Sequence, residues 1–200
     1  MKRRWLVVAL AVLASGCGYN SIQTLDETAS SAQSQIEVQL QRRADLIPNL
    51  VSTVKGYAQH EEEIFTAVAQ AREGLLNSVQ SKDPEQMANA DQRMTGALGR
   101  LLAISENYPN LKADQSFLRL QDELTGTENR IAVSRSDYND AVRAYNAYIR
   151  QFPQVLTAKA TGAKDRKYFK ATNEAATEVP KVDFSAPGAK TPPAAPKNPD

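Results

Sequence analysis

The stretch DQSFLRLQDELTGTENRIAVSRSDYNDAVRAYNAYIRQF (residues 114–152) decides the fold. Its larger side chains recur on one line: Ile131, Arg135, Tyr138, Val142, Tyr145, Ile149 and Phe152, in steps of four and three. That is the period of one face of an α-helix, not the alternation of a strand. The segment starts near Asp114, and Pro153 forbids continuation past the end. A helix over 114–152 would be about 58 Å long at 1.5 Å per residue. It is apolar along one stripe only, so that stripe must be covered by other helices.

Working outward, three more segments carry the same period. Ile22, Leu25, Ala29, Ala32, Ile36 and Leu40 mark a first helix, with small alanines where a neighbour can approach closely. Leu46 to about Val79 reads as a second, with Asp45 as its cap and Pro48 in its first turn, where a missing N–H costs nothing. If the helix instead runs through from Ala44, Pro48 must kink it. A third opens at Asp83-Pro84-Glu85-Gln86, an N-cap followed by proline at the first helical position. Met87, Met94, Leu98, Leu101 and Ile104 follow, and Pro109 stops it. Connections at 44–45, 80–83 and 107–113 are short, which favours neighbours of opposite direction. The expected fold is all-α: an antiparallel up-down four-helix bundle of long helices. Beyond it, scattered apolar residues over 153–184 (Val155, Leu156, Tyr168, Phe169, Val179, Val182 and Phe184) suit an irregular strap. Residues 185–200 (SAPGAKTPPAAPKNPD) contain nothing large and apolar, and read as a disordered tail.

The chain begins MKRRWLVVALAVLASGCGYN. Lys2, Arg3 and Arg4 precede the apolar run Trp5 to Leu13, and Ala14, Ser15 and Gly16 are small. This is the charged, apolar and small-residue order of a secretory signal peptide. The run is too short for an ordinary span of about 20 apolar residues. LASGC matches a bacterial lipobox, with Ala14 where leucine is commonest. Cleavage after Gly16 (signal 1–16) and lipid attachment at Cys17 are therefore expected, so the N-terminal lipid tethers the domain 17–184 to a membrane. An uncleaved membrane helix is the rival, and both place the remainder outside the cytoplasm. In a bacterium with two membranes, Gly18 after the cysteine favours the periplasmic face of the outer one. A disulfide is excluded, because Cys17 is the only cysteine.

Composition and motifs exclude more than they include. Removing Met1–Gly16 takes three basic and no acidic residues, leaving 21 basic against 23 acidic side chains. That balance is wrong for nucleic acid, whose affinity rests on Lys and Arg meeting phosphates. The only histidine, His60, has Tyr57 and not Glu three residues before it, so the Glu-x-x-His pairs of a di-iron bundle are absent. His60 precedes Glu61, Glu62 and Glu63, which suits the opening of a helix. No nucleophile elbow accompanies it. TGALGR (95–100) does not follow a strand, so it is no phosphate loop. No catalytic residue, cofactor or metal is expected. Tyr138, Tyr145 and Tyr148 suit core and rim better than a stacking platform. Glu128 and Arg135 fall at or beside seam positions, either as a polar layer with Arg42, Arg43 or Asp45, or facing water. At ENYPNLK (106–112), Asn107 can close a helix, Tyr108 can pack beneath the loop and Pro109 can block extension. Alternatively Asn107, Tyr108, Pro109, Asn110 and Lys112 form an interaction tip.

RRADLIPNLV (42–51), VKGYAQHE (54–61), ENYPNLK (106–112), LQDELTGTENRI (120–131), YNDAVRAYN (138–146) and FP (152–153) together resemble the LemA family, over about residues 19–184. The resemblance implies a long-helix bundle on an N-terminal membrane anchor, exposed outside the cytoplasm, with no reaction attached. It also hints at envelope partners, a membrane metalloprotease or TPM-domain proteins, through gene neighbourhood. The lipobox departs from the plain transmembrane helix more usual in that family. The expected function is a non-catalytic scaffold or interaction module of the cell envelope. A bundle that holds a small ligand is the alternative.

Overall fold

A computed structural model describes the backbone of residues 2–170 and the side chains of residues 18–170. The side chains of Gly16 and Cys17, the apolar residues Val179, Val182 and Phe184, and the tail 185–200 lie outside the described residues. The described chain is helical throughout, without a strand. Its helices are α1 (Lys2–Lys55), α2 (Glu62–Ser81), α3 (Pro84–Ile104), the four-residue α4 (Pro109–Lys112), α5 (Gln115–Arg150) and α6 (Gln154–Thr161).

α5 and α3 form where local sequence asks for them. Asp114 caps α5, its carboxylate accepting from the Phe117 N–H at 2.9 Å. Asp83 caps α3, accepting from Glu85 and Gln86, with Pro84 at the first position. The stripe of α5 runs through Leu124, Thr127, Ile131, Ser134, Tyr138, Val142, Tyr145 and Ile149. Two expected seam members are corrected: Arg135 faces water, and Phe152 is 80% exposed. The small Ser134 turns inward one place earlier, because a 3.6-residue helix drifts off a strict heptad.

The largest correction concerns α1. It does not break at 44–45. It passes through Asp45 and Pro48 and ends at Lys55, so the expected second helix is divided between α1 and α2. Asp45 accepts from Gln41 one turn back instead of capping a helix. The proline is tolerated because Arg72, on α2, donates its Nε–H to the Ala44 carbonyl at 2.9 Å. That carbonyl is the one Pro48 cannot serve. The real break lies at 56–61 and begins at Gly56, a poor helix former. α2 opens on Glu62 and Glu63, which complement its dipole. α3 ends at Ile104 rather than at Pro109: Ser105–Asn107 is a 3-10 turn, and Pro109 opens α4.

α5 lies along α1, and α2 packs on α1 and α3. Ile22 of α1 clusters with Tyr145, Ile149 and Ala158. Further along α1, Arg43 meets Glu128. Just beyond its end, Tyr57 meets Asp114. The main core runs through Ile36, Leu40, Leu50, Leu75, Met87, Met94, Leu101 and Leu111, all fully buried. Each such side chain contributes about 1.5–3 kcal/mol by leaving water.

Over residues 153–170 the strap is more ordered than expected. It holds α6, which ends at Gly162 in the left-handed region (φ 72°). An extended segment follows, pinned by two asparagines of α5. Asn146 accepts from the Arg166 N–H and donates to its carbonyl, at 2.8 and 2.9 Å. Asn139 does the same for Phe169, at 2.9 and 3.3 Å. Seven helical residues and three extended ones cover nearly the same distance, about 10 Å, so the two clamps stay in register. Replacing Asn146 with Ala is expected to cost about 1–3 kcal/mol, since it strips partners from half-buried backbone. Faster amide exchange at Arg166 in the variant is the check.

Candidate functional site: a buried arginine and the distal end

Arg43 sits on the buried face of α1 and is 3% exposed. Its guanidinium contacts Asp91 of α3 at 2.6 Å, the Thr95 hydroxyl at 3.1 Å and Glu128 of α5 at 2.5 Å. Three helices thus meet on one cation. Among the described residues its Nε has no hydrogen-bond partner. Burial pushes the Asp91 carboxyl above the usual range, the Arg43 charge pulls it back, and Glu128 adds to the rise. Desolvation prevails because Asp91 is far more enclosed than Glu128. Of the residues expected to form a polar layer, Glu128 and Arg43 do so. Arg42, Asp45 and Arg135 are exposed. Sequence reasoning does not find Asp91 and Thr95, although a signal is present for the first. Asp91 interrupts the apolar line Met87, Met94, Leu98 of α3 as Arg43 interrupts that of α1.

The distal end gathers the turn after α1, the start of α2, and α4. Tyr57 donates its hydroxyl to Asp114 at 3.0 Å, and that hydrogen bond to a carboxylate raises the phenol's pKa. Asp114 is held low, first by the Phe117 N–H and then by Tyr57. Asn107, Pro109, Asn110 and Lys112 are exposed, while Tyr108 is half-buried against the core. Lys112 is committed to Glu106 at 2.7 Å. His60 is exposed in the turn between α1 and α2. Beside this end, Ile47, Pro48, Val51 and Phe65 floor an open groove of about 670 Å³, with Lys55 and Arg72 at its edge.

The tyrosines are structural. Tyr138 is buried, donates to the Lys167 carbonyl at 2.8 Å, and has its pKa pushed up to about 12 by desolvation. Tyr145 is buried beneath Arg166, whose guanidinium lies 5.9 Å from the ring centre, and Tyr148 packs partly buried beside it. Among the described residues no cluster of His, Cys, Asp and Glu has the arrangement of a metal site. Among the same residues no helix is long and apolar enough to cross a membrane.

Comparison with known proteins places these features in a family. Magnetosome protein MamQ 2 of Paramagnetospirillum magneticum is 30% identical over 174 residues, covering 76% of this chain. Magnetosome protein MamQ of Magnetospirillum gryphiswaldense has the same identity and coverage. Protein LemA of Metamycoplasma hominis is 25% identical over 134 residues, covering 66% of this chain and 60% of its own length. The chain spans just under two thirds, 64%, of the MamQ proteins. The family model described as LemA family matches residues 32–184, which include the Arg43–Asp91–Glu128 cluster, the distal end and the strap. The chain belongs to the LemA family.

Proposed function

We propose that this protein is a lipid-anchored scaffold of the cell envelope, facing away from the cytoplasm, which holds a docking surface clear of the membrane and catalyses no reaction. In this reading Met1–Gly16 is removed, Cys17 carries the lipid, and the helices form an up-down antiparallel bundle. The bundle topology is supported by the order of contacts: positions 22, 43 and 57 pair with 149, 128 and 114. In a bacterium with two membranes, the periplasmic face of the outer membrane is its place.

The carrying observation is the distance between anchor and distal end. From Gly18 to Lys55, α1 is unbroken, which separates the two by about 55 Å. α5 braces it along that length, and the one deeply buried cation among the described residues is consumed inside the bundle. What remains for recognition is the outer surface, with Asn107, Tyr108, Pro109, Asn110 and Lys112 at its tip. Envelope proteins, including a membrane metalloprotease or TPM-domain proteins, are the partners proposed. The names of the relatives specify a cell structure or a protein and no reaction, which agrees with an assembly role.

A second reading, a small-ligand-binding bundle, draws on the groove floored by Ile47, Pro48, Val51 and Phe65. Its volume falls in the range of ligand sites, about 300–1,000 Å³, but it is open along one side.

Two measurements separate these. An alkyne fatty acid fed to cells should label the wild type and leave Cys17→Ser unlabelled; equal labelling removes the lipid anchor. Photo-crosslinkers at Asn107 and Asn110 should trap a defined envelope protein that one at Val133 does not. Loss of that adduct on charge reversal at Lys112 and Arg119, with the melt unchanged, is the expected result. Adducts independent of position would end the scaffold reading.

A further inference from the structure

We propose that the near end of the bundle docks directly on the surface of an anionic phospholipid bilayer, through Tyr19, Phe152 and Leu156 together with Lys159 and Lys164. The proposal rests on the membrane-anchored reading above and adds a second, non-covalent contact to it. Three of the eight large hydrophobic side chains exposed among the described residues are at this end: Tyr19 (45%), Phe152 (80%) and Leu156 (59%). The other five, Val38, Tyr57, Leu118, Val133 and Tyr168, are scattered along the bundle and need no covering.

Geometry puts this patch where the chain meets the membrane. Gly18 lies against α6: a methyl on its Cα would sit 3.5 Å from the Thr157 Oγ1 and 3.7 Å from the Gln154 Cγ. Ala158 packs with Ile22 and Ile149. α1 continues past α6 toward Lys2, so the apolar N-terminal run leaves the bundle at this end. Lipid on Cys17, or a membrane helix ending there, would set Gly18 at headgroup level. The Phe152 turn and α6 then face the bilayer at very high effective concentration.

Charge selects the occupant. Over residues 150–170 the basic side chains are Arg150, Lys159, Lys164, Arg166, Lys167 and Lys170, and the only acidic one is Asp165. Arg150 pairs with Asp165, Arg166 with Asp26 and Lys167 with Asp83. Lys159 and Lys164 have no acidic partner among the described residues, and are free for lipid phosphates. Exposed aromatics with two unpaired lysines in and just after α6 match the interfacial zone of an anionic membrane, where rings sit among headgroups and cations attract their charge. A soluble partner would not require the patch to surround the anchor.

The test uses the protein as purified from membranes with its native anchor. Trp5 is the only tryptophan in the sequence, so Trp5→Phe gives a silent background whether or not Met1–Gly16 has been removed. Into it go single reporters, Phe152→Trp at the near end or Val133→Trp on the shaft of α5, about 25 Å away. Each protein is reconstituted with phosphatidylethanolamine and phosphatidylglycerol vesicles, with and without brominated acyl chains, and flotation is measured alongside. The expected result is emission from position 152 that is blue-shifted and quenched by bromine, with neither effect at 133. Loss of that quenching in Lys159→Glu/Lys164→Glu, with flotation unchanged, identifies the lysine contribution. Flotation without quenching at 152 overturns the docking and leaves the anchor standing. A blue shift at 152 without quenching means that a protein surface covers the patch, which also overturns it. Failure to float overturns the anchor and the docking with it. Leu156→Trp repeats the measurement one turn into α6, should Phe152→Trp melt below the parent.

Discussion

Arg43→Met is expected to destabilise the bundle by about 3–5 kcal/mol, because it leaves a buried carboxylate with no counter-charge. For a chain of this size that lowers Tm by on the order of 10 °C. Asp91 suffers most: its side chain is 13% exposed, whereas Glu128, at 46%, can turn to water. The loss should depend on pH. Burial already holds the folded pKa of Asp91 above its unfolded value. A group raised in this way supports the fold below its unfolded pKa and loses that support as pH rises through the folded one. Removing Arg43 deletes the attraction and the hydrogen bond that held the value down, so the folded pKa climbs further. The deficit of the variant relative to wild type is therefore largest at neutral pH and shrinks on acidification toward pH 5. Melting both proteins at the two pH values checks this. Asp91→Leu added to Arg43→Met should recover much of the loss, since apolar replacement of a whole buried pair is often neutral. A deficit that is the same at both pH values, or no rescue, would show that Arg43 acts by packing alone.

The second large effect lies at Pro48. A proline inside a helix costs about 3 kcal/mol, through a missing hydrogen bond and a ring clash. Here Arg72 returns the hydrogen bond to the buried Ala44 carbonyl. Pro48→Ala is expected to stabilise the protein by about 2–3 kcal/mol, since it restores the local N–H. Arg72→Met should cost about 1–3 kcal/mol with Pro48 present, by stranding a buried acceptor. The same change in the Pro48→Ala background should cost only about a few tenths, as for an ordinary surface position. Denaturant melts of the four proteins give this double-mutant cycle. Additive effects would mean that Arg72 does not compensate for the proline.

These two sites also separate what one-dimensional information contains from what it lacks. α5 and α3 are legible because each carries its own determinants: a periodic stripe and an aspartate cap, all local in sequence. So are the family motifs, the helical class and the position of His60 at a helix junction. The continuity of α1 is not legible. Pro48 argues locally for a helix start, and the guanidinium that lets the helix continue through it comes from Arg72, in another helix. Periodicity alone puts the seam of α5 one residue off at Arg135, because it fixes a stripe to within a neighbour and only packing selects Ser134. The charges in the apolar lines, Arg43 and Asp91, are visible as anomalies, but nothing in the chain states that they meet each other and Glu128. Likewise Asn139 and Asn146 hold a strap whose composition suggests only irregular structure. By itself the sequence determined the helical class, the extents of α3 and α5 and, to within a neighbouring residue, the faces they bury, because backbone hydrogen bonding and amphipathicity act over a few residues. The tertiary structure decided which breaks are tolerated and which charges pair, because a buried carbonyl or carboxylate must be satisfied and any residue close enough in space can do it.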